Sequence, residues 1–227
     1  MRVNSLTRRT SQGFAQLFIF LGVALFAPAW TLDFWQAWVY LFIFTAASAL
    51  ITAYLWKYDP KLLESRVKAG PRAEKEKSQK LIQILASMAF IGTLVVPSLD
   101  RRYLWSHLPI VFVIAGDVLV ALGFLAVFFV YKENTFTSAT IEVAPDQRVI
   151  STGPYAIVRH PMYAGALVML LATPLALGSW WGILMIVPMT FVLVLRLLNE
   201  EKFLRVNLPG YPEYCRKVRF RLVPLIW

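Results

Sequence analysis

One long stretch without charge, residues 161–195, reads PMYAGALVMLLATPLALGSWWGILMIVPMTFVLVL. As a single helix its 35 residues would reach about 52 Å, whereas the hydrocarbon core of a bilayer is about 30 Å thick. Gly178-Ser179 lies near the middle of the stretch, four residues after Pro174, and such residues are typical of chain reversals. The pattern predicts a tight helical hairpin over 161–198, with one arm at 161–177 and the other at 180–198.

Four further stretches are long and apolar enough to cross a membrane, at 14–32, 34–56, 81–99 and 108–130. Apolar residues make up 58% of the chain and charged residues 16%, against about 45–50% and about 25% in a soluble domain. We therefore predict an all-α polytopic membrane protein with about six transmembrane helices. A soluble globular enzyme, a nucleic-acid-binding protein and a disordered chain are excluded.

The basic residues predict how these spans are oriented. Of the 23 Lys and Arg residues, 20 lie in the N-terminal segment, the connections 57–80 and 131–160, and the segment after the last span. With six spans all four regions fall on one face, which the positive-inside rule assigns to the cytoplasm. We expect both termini there, in a prokaryotic cytoplasmic membrane or alternatively the endoplasmic reticulum, with the +10 net charge facing anionic lipids. The first span resembles an export signal, but five further spans already explain insertion and we expect it to be retained.

The sequence also limits the kinds of site that the chain can form. Cys215 is its only cysteine, and His107 and His160 are its only histidines, so we expect no disulfide and no metal site. There is no glycine-rich nucleotide-binding motif, and we expect no nucleic-acid partner. Residues 1–130 are therefore interpreted as transmembrane helices with a basic segment at 57–80, which holds an interfacial helix at 60–68, and residues 131–227 as the catalytic region.

Residues 153–163, GPYAIVRHPMY, contain the first candidate site. Pro161 suits the first position of a helix, where its missing N–H costs nothing, so His160 becomes the N-cap. The N–H groups and positive dipole end of that helix favour a carboxylate, and Tyr155 and Tyr163 offer aromatic faces to a base or an onium cation. The alternative is an interfacial belt in which these side chains only anchor a helix end.

A second cluster lies at the end of the last span. Arg196 and Glu200 are four residues apart and share one helix face. Because a hairpin returns to the side on which it began, we expect His160, Tyr163, Arg196 and Glu200 to converge at the cytoplasmic surface. The alternative is an ordinary ion pair between Arg196 and Glu200. Asp117, the only ionisable acid or base within the apolar stretches, is predicted to be a packing contact between helices, with a proton or ion site as the alternative.

Together these motifs resemble the isoprenylcysteine carboxyl methyltransferase family of integral-membrane enzymes, which is related to the phospholipid N-methyltransferases. The resemblance covers roughly residues 131–227 and implies S-adenosylmethionine as the cofactor, bound in a cytoplasmic pocket built by the C-terminal half. It assigns Arg196 to the acceptor as the catalytic residue. Family members often carry His where this chain has Gln147. The residues that it assigns to the cofactor are Gln147, Arg148, Val149, Ile150, Tyr155, His160, Pro161, Met162, Tyr163 and Glu200.

The implied reaction is methyl transfer to a carboxylate of a lipid-bearing or lipophilic acceptor that enters from the bilayer. A carboxylate is already ionised at neutral pH, so Arg196 would only need to hold and aim it. For an ethanolamine phospholipid, methylated on nitrogen, Glu200 or His160 would have to remove a proton first. Two readings from other classes stay open, namely a sterol-type reductase on the same scaffold and a non-enzymatic lipid-binding or transport protein.

Overall fold

A computed structural model describes residues 2–67, 76–144 and 146–227. Within these ranges the secondary structure is entirely helical. Two 3₁₀ turns, Gly153–Ala156 and Trp181–Met185, precede the last long helices. The α-helices are α1 (Arg2–Ala29), α2 (Trp35–Tyr58), α3 (Pro60–Val67), α4 (Lys77–Tyr103), α5 (Ile110–Glu133), α6 (Pro161–Ala176), α7 (Ile186–Asn207) and α8 (Tyr211–Lys217).

Within the described residues, five segments are long and apolar enough to cross a membrane: Leu6–Ala29, Trp35–Tyr58, Lys77–Tyr103, Ile110–Glu133 and Trp181–Asn207. A sixth apolar helix, α6, has only 16 residues and is about 24 Å long. The prediction of an all-α polytopic membrane protein is confirmed, with five long spans and one short apolar helix. The chain is thus an integral, multi-pass membrane protein.

Contacts between connections define two opposite ends of the helix bundle. At one end, called the far end, Arg101 pairs with Asp33 at 3.3 Å, and the Ser179 hydroxyl donates to the Asp100 carboxylate. At the other end, called the site end, Arg66 of α3 donates to the carbonyl oxygen of Ser138 at 2.8 Å. Successive connections therefore alternate between the two ends, as expected of antiparallel spans.

Helix α6 packs most extensively along α5, because glycines let the two backbones approach closely. A Cβ atom added to Gly123 would lie 2.9 Å from the carbonyl oxygen of Gly165 and 2.7 Å from the Cβ of Met169. Gly116, two turns away on the same face of α5, lies against the backbone of Ala176 in the same manner. Small residues of this kind are typical of close packing between membrane helices.

The two arms of the predicted hairpin do not form a tight pair. The chain reverses at the predicted position, where Gly178 has a φ of 74°. However, α6 packs mainly on α5, whereas α7 packs mainly on α4. The second arm is also longer than predicted, since α7 continues to Asn207. Residues 199–207 are mostly polar and include good helix formers. The apolar stretch predicts only the part of the helix that lies in the membrane, so it does not predict where the helix ends.

Segment 57–80 contains a short helix where one was expected. Helix α3 runs Pro60–Val67, and the Asp59 carboxylate caps it by accepting from the backbone N–H of Leu62 at 3.0 Å. Residues 68–75 of this basic segment lie outside the described residues. Asp117 is buried on the face of α5 that also carries Gly116, as a packing position requires.

Candidate functional site

A cavity of about 520 Å³ lies at the site end, bounded by α4, α6 and α7 and by the connection that leads to α6. Every residue that the sequence assigned to a site lines this one cavity, so the convergence expected of His160 and Arg196 is present. These residues are Gln147, Arg148, Val149, Ile150, Tyr155, His160, Pro161, Met162, Tyr163, Arg196 and Glu200.

The cavity is not built by the C-terminal half alone, contrary to the sequence-based expectation. Helix α4 contributes an entire wall, comprising Gln83, Ala86, Ser87 and Phe90, and α3 contributes Arg66. Nothing in the sequence singled out these residues, because they lie in or next to segments whose composition already explains them as a span or an interfacial helix. The connection 136–142 also lines the cavity; it falls within the region 131–227 that was predicted to be catalytic, although none of its residues was named as a site residue.

The polar part of the cavity is organised by Tyr163, Arg196 and Glu200. The Tyr163 hydroxyl donates to Glu200 Oε2 at 2.5 Å. Arg196 donates from Nη1 to Gln83 Oε1 at 2.8 Å and from Nη2 to the carbonyl oxygen of Ala139 at 2.9 Å. Arg196 therefore links α7 to α4 and to the connection above the cavity, which holds its guanidinium group in place.

Glu201, the neighbour of Glu200, lies behind the cavity rather than on its wall. Its carboxylate is 2.7 Å from Arg159 Nε and 2.9 Å from Arg221 Nε, and the side chains of Arg159 and Glu201 are each only 5% exposed. Arg159 also donates to the carbonyl oxygen of Val218 at 3.2 Å. Arg159 is thus paired with a buried carboxylate and ties the C-terminal segment to α6 and α7.

The same C-terminal segment fixes the residue that precedes α6. The backbone N–H groups of Arg159 and His160 donate to the carbonyl oxygens of Phe220 and Arg221, both at 2.9 Å. His160 takes the N-cap position and Pro161 the first helical position, as predicted. Residues 158–160 are therefore held by backbone hydrogen bonds, and the N-terminus of α6 opens onto the cavity.

The His160 ring is buried, with 4% of the residue exposed. Burial lowers its pKa below the ordinary value of 6.5, because desolvation disfavours the imidazolium form and outweighs the nearby Glu200 and Glu201. Nε2 lies 3.5 Å from the Tyr211 hydroxyl and 3.9 Å from Glu201. The ring is therefore neutral at pH 7, with one nitrogen that accepts and one that donates.

Aromatic side chains form the outer wall of the cavity. The Tyr155 hydroxyl accepts from Asn134 Nδ2 at 2.9 Å, and the Tyr214 hydroxyl donates to the Tyr155 carbonyl oxygen at 2.7 Å. Burial raises the pKa of Tyr155, Tyr211 and Tyr214 above the ordinary value for a phenol, so all three stay uncharged. This wall offers flat apolar faces together with hydroxyl groups.

Gln147 uses part of its side chain within its own connection. Its side-chain Oε1 accepts from the backbone N–H of Ala144 at 3.0 Å. The backbone N–H of Gln147 donates to the carbonyl oxygen of Ala144, also at 3.0 Å. A ligand in the cavity therefore meets a Gln147 whose oxygen is already bonded and whose Nε2 is the group suited to a new hydrogen bond.

Two similarities to known proteins bear on this site. Residues 111–208 match the family described as phospholipid methyltransferase. A curated relative, the Delta(14)-sterol reductase TM7SF2 of Mus musculus, is 30% identical over 95 residues, which cover 39% of this chain and 22% of the reductase. The chain therefore spans about a fifth of the length of that relative. The first match supports a membrane methyltransferase, and it covers the part of the chain that carries most of the predicted site.

Proposed function

We propose that the protein is an S-adenosylmethionine-dependent membrane methyltransferase that transfers a methyl group to a carboxylate of a lipophilic acceptor. The observation that carries the proposal is the composition of this cavity. Its outer part is polar and aromatic, whereas its deeper part is lined by Phe90, Met169, Leu170, Met189 and Leu193. The polar part thus suits the cofactor, and the apolar part suits the tail of the acceptor.

The residues present fit the cofactor. A cavity of about 520 Å³ lies within the range of about 300–1,000 Å³ that is typical of small-molecule sites. The N-terminus of α6 and the neutral His160 suit the carboxylate of the amino acid part, and the tyrosine wall suits the adenine. Glu200 suits the amine or a ribose hydroxyl, and the remaining contacts are proposed for Gln147, Arg148, Val149, Ile150, Pro161 and Met162.

Arg196 is the residue proposed to act on the acceptor. When bound, S-adenosylmethionine supplies an electrophilic methyl group on a sulfonium centre. Arg196 holds the acceptor carboxylate, which needs no general base because it is already ionised. Alignment and exclusion of water are then the main demands on the protein, and the fixed guanidinium and the apolar depth of the cavity meet them.

Nitrogen methylation of an ethanolamine phospholipid is a second candidate, and the family match to phospholipid methyltransferases favours it. In that reaction an ammonium group must lose its proton first, and Glu200, which lines the cavity and accepts from Tyr163, is the proposed base. The likeness to part of a sterol reductase keeps a reductase as a third candidate, which would require a nicotinamide cofactor.

Calorimetry on the protein in lipid nanodiscs tests the cofactor assignment. S-adenosylmethionine should bind, and Glu200→Gln should weaken binding about ten- to a hundredfold, since a hydrogen bond to a charged group contributes about 1.5–3 kcal/mol. The matched control is Glu213→Gln on the exposed surface of α8. Binding of a nicotinamide cofactor without any binding of S-adenosylmethionine would overturn the proposal in favour of the reductase.

The acceptor is tested with methyl-labelled cofactor and membranes that contain the protein. Label released as methanol by base indicates an ester, whereas stable label in a lipid headgroup indicates nitrogen methylation. Arg196→Gln should abolish ester formation while sparing cofactor binding, with Arg216→Gln on exposed α8 as the control. Unchanged ester formation in Arg196→Gln would show that Arg196 does not hold the carboxylate.

A further inference from the structure

We infer that Gln83 of α4 joins Arg196 in recognising an anionic group of the acceptor, so that the α4 wall of the cavity selects the acceptor. The inference rests on the proposed function and deepens it by assigning a specificity-determining residue. Gln83 and Arg196 are 113 positions apart in sequence, and neither the motifs nor the family resemblance points to Gln83.

The contact between the two side chains fixes how the amide is oriented. A guanidinium group has only donors, so the Gln83 oxygen must be the atom that faces Arg196 Nη1 at 2.8 Å. The two N–H donors of Gln83 are then on the other branch of the amide. The pair therefore combines a permanent positive charge with neutral donors beside it, and this combination suits a carboxylate or a phosphate.

The position of the pair suits an anion that carries an alkyl tail. Helices α4 and α7 run in opposite directions, and Phe90 and Met189 are each seven residues deeper than Gln83 and Arg196 respectively. Seven helical residues span about 10 Å. Phe90 and Met189 belong to one apolar cluster with Leu170 and Leu193, and all four line the cavity. The alkyl tail of an acceptor whose anionic group is bound by Gln83 and Arg196 would thus lie along an apolar wall.

The α4 wall lies outside the part of the chain that resembles known methyltransferases. The family match begins at residue 111, so it includes Arg196 and the residues proposed for the cofactor but not Gln83 or Phe90. Of the groups proposed to contact the acceptor, the α4 wall is therefore the part that lies outside the segment proposed to bind the cofactor. A change on α4 should alter the acceptor and leave the affinity for S-adenosylmethionine as it is.

The decisive variant is Gln83→Glu, which keeps the size of the side chain and its acceptor oxygen but adds a negative charge next to Arg196. Binding of decanoate, decyl phosphate and decylamine is measured by calorimetry on the protein in nanodiscs, with empty nanodiscs subtracted. The wild type should bind an anion more tightly than the amine, and Gln83→Glu should weaken anion binding about tenfold or more, because like charges in contact cost several kcal/mol. Whichever of decanoate and decyl phosphate binds more tightly identifies the anion as a carboxylate or a phosphate.

Two further variants separate the charge effect from damage to the fold. Gln12→Glu on the exposed surface of α1 changes the net charge equally and should change no affinity. Gln83→Met keeps the volume but removes the hydrogen bond, and it should weaken anion binding by less than Gln83→Glu does. The affinity for S-adenosylmethionine should be the same in all three variants, which also reports that each is folded.

The inference is overturned if Gln83→Glu binds the anions as the wild type does, or if the wild type binds neither anion or prefers decylamine. Loss of S-adenosylmethionine binding in Gln83→Glu would likewise overturn it, because the residue would then serve the fold or the cofactor. Failure of the wild type to bind S-adenosylmethionine, by contrast, would refute the proposed function, and the two failures are thereby distinguished.

Discussion

Two adjacent acidic residues, Glu200 and Glu201, have different surroundings and therefore different roles. Glu200 lines the cavity and accepts from Tyr163, whereas Glu201 is buried against Arg159 and Arg221. Glu200 faces the cavity, whereas Glu201 holds together the segments that surround it. A sequence shows only an acidic pair, and which member faces the cavity depends on how α7 is rotated against its neighbours.

Glu201→Gln should destabilise the protein more than any other acid-to-amide change at the site end. The variant leaves the buried Arg159 without a counter-charge, and breaking a buried ion pair costs about 3–5 kcal/mol. We expect a clear fall in the thermal denaturation temperature in detergent, while Glu213→Gln on the surface leaves it unchanged. A stability equal to that of the wild type would show that Glu201 does not anchor the C-terminal segment.

His160 should titrate at a pKa below its ordinary value of 6.5, because burial disfavours its charged form. The unfolded chain then binds a proton that the folded chain does not, so the contribution of His160 to the free energy of unfolding falls as the pH drops below 6.5 and is constant above it. The chain has only two histidines, so NMR of histidine-labelled protein gives two ring signals, which His107→Gln and His160→Gln assign. A midpoint at or above 6.5 for His160 would contradict a buried neutral ring.

Among the helices, the contact between α5 and α6 depends most on individual small residues. Gly123→Ala should lower the thermal denaturation temperature, since the added Cβ would lie 2.7 Å from Met169 Cβ and 2.9 Å from the Gly165 carbonyl oxygen. Separating the two helices would also displace the N-terminus of α6 and weaken binding of S-adenosylmethionine.

Gly22→Ala is the matched control for this change. Gly22 lies on α1, and no neighbouring atom lies within 4 Å of an added Cβ. Alanine is the better helix former by about 1 kcal/mol, so this variant should be as stable as the wild type or more stable. Equal stability of Gly123→Ala and the wild type would show that the two backbones have room to separate without cost.

The number and order of the apolar helices could be predicted because a membrane demands long apolar segments, and these are visible in the composition of the sequence. Two features of the helices could not be predicted. The C-terminal end of α7 is polar, so no apolar pattern indicates where the helix ends. Helix α6 packs on α5 because of Gly116, Gly123 and Gly165, but the spacing of these glycines does not show which helix will be the neighbour. In the site, the role of Gln83 could not be predicted for a similar reason. A single amide near the start of a span has no evident function until its contact with the distant Arg196 is known.

Across the whole molecule, the site end is proposed to face the cytoplasm, since most Lys and Arg residues lie on that side. Two single-cysteine proteins made in a Cys215→Ser background test this proposal. Arg102→Cys at the far end should react with a membrane-impermeant maleimide in intact cells, and Arg216→Cys at the site end should react only after the membrane is opened. The reverse pattern would place the cavity on the outer side.

The short α6 sets the depth of the cavity within the molecule. Its first turn is level with Glu200, as the contact between Tyr163 and Glu200 shows, and α7 continues for seven residues to Asn207, about 10 Å further. Tyr163 and Glu200 therefore lie about two helical turns below the end of α7, and the cavity lining extends from this level up to Leu204 and Leu208.

The polar contacts at the far end have a mechanical consequence. Asp100 of α4 accepts from Ser106 and from Ser179, which belongs to the turn between α6 and α7, and all of these atoms are shielded or partly shielded from solvent. The three helices that enclose the cavity are thus clamped together at one extremity. Any separation of these helices is therefore expected at the opposite end of the bundle, beside the cavity, because these hydrogen bonds hold the far end together.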